Sequence, residues 1–104
     1  MLDKNEYINQ LLDWYDKLLT DRQLDVMKLY YREDLSLTEI AENLKISRSA
    51  VYDLIKRTSA LMEDYESKLK LVSNYHQRMA LYDDLINSET KDVKSVVNKL
   101  IELE

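Results

Sequence analysis

The chain of 104 residues contains no glycine and no proline. An average protein draws about 12% of its residues from these two. Tight hairpin turns need positive φ, which glycine supplies at least cost, so β-hairpins have little to build their corners from. Long helices need neither residue. The absence predicts an all-α chain. At this length one domain can bury roughly two thirds of its unfolded surface.

Apolar spacing places the helices. Tyr7, Ile8, Leu11, Leu12, Tyr15, Leu18 and Leu19 recur at steps of three and four, which predicts a helix over 3–19. Thr20 with Gln23 is a capping-box pair that opens a second helix, with Leu24, Met27, Leu29 and Tyr30 or Tyr31 on its apolar side. Glu33 and Asp34 make a polar break. Ser36 with Glu39 repeats the capping box. Leu37, Ile40, Ala41 and Leu44 then face inward, Ile46 plugs a turn, and Ser47 caps a helix whose inward side holds Val51, Leu54 and Ile55. Residues 36–57 therefore read as a helix-turn-helix. Lys45 stands where such a turn usually has glycine. Either it takes a left-handed conformation, at roughly 1 kcal/mol, or the turn is reshaped.

A helix-turn-helix presents one helix face to a groove. Here that face carries Arg48, Ser49, Tyr52, Asp53 and Lys56. Arg48 and Lys56 suit bases or phosphates. Ser47 and Ser49 suit phosphate through hydroxyl and backbone N–H. Tyr52 suits a sugar or a thymine methyl, and Arg57 at the edge can reach the backbone. The net charge of −5 opposes nucleic-acid binding. Its distribution softens the objection, because residues 45–57 carry a local balance of +3 and residues 61–104 one of −3. Asp53 repels phosphate, so the alternative is a three-helix scaffold with no nucleic-acid role.

Beyond residue 57 the seam Val51, Ile55, Thr58, Met62, Tyr65, Leu69, Val72, His76, Met79 alternates by four and three. It predicts one long helix, with Ser73–Asn74 as its soft spot. A turn or cap at Asn87–Ser88 precedes a last amphipathic helix marked by Val93, Val96, Val97, Leu100 and Ile101. The division expected is a helical head over 1–57 and a helical extension over 58–104, together one continuous structural unit. The extension's stripe can fold back on the last helix, pack on the first, or pair with a second chain. A homodimer is expected, with Met62, Tyr65, Leu69, Val72 and Met79 at its interface.

The chain has eight tyrosines and no phenylalanine. Tyr7, Tyr15, Tyr30 and Tyr65 occupy stripe positions and read as anchors, while Tyr31 and Tyr52 read as the exposed pair. Trp14 lies beside the first stripe. There is no cysteine, hence no disulfide, thiolate metal site or cysteine nucleophile. His76 alone cannot build a zinc site and reads as a partly buried or interface residue. Asp83–Asp84 and Glu33–Asp34 are adjacent on their helices and point apart, which suits solvated charges. Without glycine no phosphate-cradling loop forms. No enzyme, cofactor or metal is expected. No apolar run is long enough to span a membrane and the N-terminus lacks a signal-peptide layout, so a cytoplasmic protein is expected.

The run Leu19-Thr20-Asp21-Arg22-Gln23-Leu24-Asp25-Val26-Met27-Lys28-Leu29-Tyr30-Tyr31, followed by Asp34 to Ala41, resembles region four of bacterial sigma factors. In that family this segment precedes the helix that reads a promoter hexamer. With Tyr52 to Arg57 and Leu61 to Leu69, the chain is similar to the small YlxM-type helix-turn-helix proteins over about residues 3–85. That resemblance implies a DNA-binding regulator. It also implies a link to the signal recognition particle, whose GTPase gene lies beside those of the family. Duplex DNA is then one expected partner. The particle's GTPase or its RNA is the other, with the chain as an accessory factor. A structural dimer whose helix-turn-helix is vestigial is the third reading.

Overall fold

The computed structural model describes residues 4–87 and 93–103. Among them are six α-helices: α1 Lys4–Tyr15, α2 Asp21–Tyr31, α3 Leu37–Leu44, α4 Arg48–Leu69, α5 Leu71–Asn87 and α6 Val93–Glu102. A 3-10 turn, Asp16–Leu18, follows α1, and no strand occurs among the described residues. The fold is all-α, as the lack of glycine and proline predicts. The predicted helix start at residue 3 and the turn residue Ser88 lie outside the described residues.

Capping boxes set two helix starts. Thr20 Oγ1 accepts the Gln23 N–H at 3.2 Å, and Gln23 Oε1 accepts the Thr20 N–H at 2.9 Å. Ser36 Oγ and Glu39 Oε1 exchange the same pair of bonds at 3.1 and 3.0 Å. Each satisfies two backbone donors that a helix start leaves open.

Two compact units make up the chain, the first ending at Leu69 and the second beginning at Lys70. The head thus extends past the boundary at residue 57. In the first unit α1, α2 and α3 all pack on α4. Ile8, Leu11, Leu12 and Tyr15 from α1 meet a core completed by Val26, Met27, Ile40, Ala41, Val51, Ile55 and Met62, all buried. Large apolar side chains of this kind contribute about 1.5–3 kcal/mol each on burial.

Two expectations for α4 change. Met62, expected between copies, is fully buried in the chain's own core. The reason is that α1 covers that side of α4, with the Tyr15 and Tyr65 rings 5.9 Å apart. The helix also does not run on through Ser73–Asn74. It breaks at Lys70, whose φ of 55° is left-handed. Asn74 then donates its N–H to the Lys70 carbonyl at 2.9 Å and α5 proceeds.

In the second unit α5 packs on α6. Val72 of α5 and Val96 of α6 are buried. Leu69 at the end of α4 and Met79 of α5 are 50% and 46% exposed. His76, read as a partly buried or interface residue, is exposed, with its ring 5.6 Å from that of Tyr75. Leu18 is also exposed, because α1 ends at Tyr15 and the 3-10 turn takes Leu18 off the stripe.

Candidate nucleic-acid interface

The interface begins with the turn. Lys45 has φ 58° and ψ 44°, the left-handed conformation usually left to glycine. Ile46 donates its N–H back to the Ala41 carbonyl at 3.1 Å, the wrap-around bond of a Schellman-type helix end. The turn is therefore not reshaped, and α4 leaves α3 along the path that a glycine would have allowed. Ser47 then caps α4, its Oγ accepting the Ala50 N–H at 3.1 Å. The Ser47 and Ser49 hydroxyl oxygens lie 3.2 Å apart.

Successive α-helical residues turn by about 100°, so Arg48, Ser49, Tyr52, Asp53 and Lys56 share an arc of about 140°, with Arg57 at its edge. All six are exposed, whereas Val51 and Ile55, outside that arc, are buried. Tyr52 stands 57% exposed. Arg57 is not a free cation: its Nε donates to Asp53 Oδ2 at 3.0 Å. The pair removes much of the repulsion expected from Asp53 and ties down one predicted contact residue. Lys45, read as the turn residue and counted in the +3 balance of residues 45–57, is itself exposed three residues before Arg48.

Tyr31 departs from expectation. It is half-buried, its ring edge-on to Tyr30 at 4.9 Å. Burial is the main cause that pushes its phenol pKa upward. Only Tyr52 of the predicted exposed pair stands clear. Among the described residues no group of three His, Asp or Glu side chains is placed to hold a metal ion, and no helix is long and apolar enough to cross a membrane.

The family description "Putative helix-turn-helix protein, YlxM / p13 like" matches residues 2–102. The chain belongs to this family. A UPF0122 protein of Oceanobacillus iheyensis is 48% identical over the whole of both chains. Another from Streptococcus suis is 46% identical over 88% of this chain and 80% of the relative. A third, from Bacillus thuringiensis, is 45% identical over 96% and 99%. In this chain Leu37–Leu44 and the start of α4, joined by a tight turn at Lys45, have the arrangement that the family's description names.

Proposed function

We propose that this chain is a non-enzymatic DNA-binding protein of the cytoplasm that lays the first turns of α4 in the major groove. One observation carries the reading: Ser47, Arg48, Ser49, Tyr52 and Lys56 all lie exposed at the start of a capped helix held out by a helix-turn-helix. Arg48 and Lys56 supply phosphate or base contacts, Tyr52 apolar contact, and the two serines phosphate contacts. Arg57 reaches the backbone only by leaving Asp53. Affinity from so few cations falls steeply with salt.

Fluorescence anisotropy over a pool of random duplexes at about 50 mM salt tests this, the low salt favouring electrostatic binding. Binding is expected, and Arg48→Ala with Lys56→Ala should reduce the log–log salt slope by about 2. No duplex bound, or an unchanged slope, defeats the reading.

Two copies would pair through the second unit. Leu71, Tyr75, Met79, Tyr82 and Ile86 form an exposed stripe on α5, and Val93, Val97 and Ile101 another on α6. Two helices with so much apolar surface outside and so little inside favour association. A paired chain would carry two heads, as a two-fold DNA site with half-sites about 34 Å apart requires. Met79→Glu with Val97→Glu should convert a sedimenting dimer to monomer. A wild-type monomer at about 10 µM removes this part.

The net charge of −5 favours a second reading, docking on a basic surface of the signal recognition particle's GTPase–RNA complex. Co-purification with that complex at physiological salt is the expected result, and its absence counts against it.

A further inference from the structure

A cleft of about 360 Å³ opens beside α4, between Tyr30 and Tyr31 of α2 and the α4 side chains Tyr52, Lys56, Ser59 and Glu63. Small-molecule sites run from about 300 to 1,000 Å³, mostly apolar with a few convergent polar groups. This cleft fits that description. Three tyrosines line it, Tyr30 and Tyr31 set edge-to-face at 4.9 Å. Ser59 Oγ is buried, and the Tyr31 phenol interacts with it outside standard hydrogen-bond geometry. A ligand acceptor or donor would complete the bonding of this weakly satisfied hydroxyl. Lys56 and Glu63 are seven residues apart on α4, about 10 Å along the axis. The cleft therefore has a positive end at Lys56 and a negative end at Glu63.

We propose that this cleft binds a small planar aromatic anion. Its ring lies against the tyrosines, a polar ring atom bonds Ser59 Oγ, and its acid group sits on Lys56 Nζ. The charge order of the cleft sets the orientation: the acid group points to the Lys56 end because Glu63 repels it from the other. Tyr52 and Lys56 also belong to the groove-facing surface, so the ligand competes with DNA. Only this competition rests on the DNA-binding reading. Direct titration does not.

The test is titration of the intact ¹⁵N-labelled chain, without DNA, with indole-3-acetate and adenosine 5′-monophosphate, and with neutral indole and adenosine beside them. At least one anion should saturate with a Kd of about 1 mM or tighter. Its shifts should centre on Tyr30, Tyr31 and residues 52–63, and its neutral counterpart should bind about fivefold more weakly. Lys56→Met should erase that preference. Ser59→Leu should fill the cleft and abolish binding. If Ser59→Leu does not fold, Ser59→Ala should weaken binding in a chain whose melting curve shows it still folded. The proposal is overturned by no saturation with either anion up to about 10 mM. Shifts centred away from the cleft, or an anion preference that survives Lys56→Met, overturn it equally.

Discussion

Arg57 Nε lies 3.0 Å from Asp53 Oδ2, one turn apart at the edge of the surface that would face a nucleic acid. Both side chains are well exposed, so the pair adds little to stability. Its effect falls on charge. Asp53→Asn should release Arg57 toward phosphate and remove a repulsive carboxylate. Duplex affinity at low salt should rise about three- to tenfold, with stability changed by less than about 0.5 kcal/mol. Anisotropy and urea melts measure both. Unchanged affinity would mean that this edge of α4 stands away from the DNA.

Lys45 occupies a backbone well that costs a β-carbon residue roughly 1 kcal/mol. Lys45→Gly removes that strain and returns part of the gain to the unfolded chain's entropy. A net stabilisation of up to about 0.5 kcal/mol is expected, a rise in Tm of up to about 2–4 °C for a unit of this size. Calorimetry checks it. A lower Tm would show that the Lys45 side chain contributes more than its backbone costs.

These residues also show what the sequence could reveal. Thr20–Gln23, Ser36–Glu39 and Ser47 are short-range devices, each complete within four positions, so their pattern alone announced them. At Lys45 the sequence left two alternatives, a left-handed residue or a reshaped turn, because only the backbone can show which the flanking helices impose. The break at Lys70 was not legible, because no glycine, proline or cap marks it and the apolar alternation passes straight through. Periodicity also tells that Met62 is covered, not by what. That α1 covers it depends on partners such as Tyr15 and Glu66, 51 positions apart. The Asp53–Arg57 pair was within reach of helical spacing, since the two lie at i and i+4.

Tyr15 ties α1 to α4. It is fully buried, and its hydroxyl donates to Glu66 Oε1 at 2.6 Å, a short charge-assisted bond. Tyr15→Phe keeps the ring and removes the donor. It should cost about 1–2 kcal/mol, less than a fully buried charged bond because Glu66 keeps some access to water. Glu66→Gln retains an acceptor and should cost less. Equal stability of Tyr15→Phe and wild type would contradict the bond's role.

Glu39 gives the head an acid-sensitive cap. Its carboxylate accepts the Ser36 N–H, the largest of the causes that lower its pKa below the usual carboxylate range. The folded pKa is the depressed one. Its contribution is therefore present above the unfolded-state pKa and lost as pH falls through the folded-state pKa. Glu39→Gln can accept the same N–H but does not titrate. Urea midpoints from about pH 7 to pH 3 should fall less steeply in this variant than in wild type. Parallel curves would show that the cap is not protonation-linked.

Thr58 lies on α4 in the core of the first unit, 1% exposed, its Oγ1 buried without a hydrogen-bond partner. A desolvated hydroxyl of this kind is unfavourable by about 1–3 kcal/mol, while valine matches its shape and β-branching. Thr58→Val should therefore stabilise the chain by about 1 kcal/mol, seen as a higher urea midpoint at unchanged m-value. Thr58 is buried in the core, outside the arc that carries Arg48, Tyr52 and Lys56, so duplex binding should not change. A drop in stability would mean that the hydroxyl has a bonding partner in solution. A change in duplex affinity would mean that α4 responds along its length to its core-facing side.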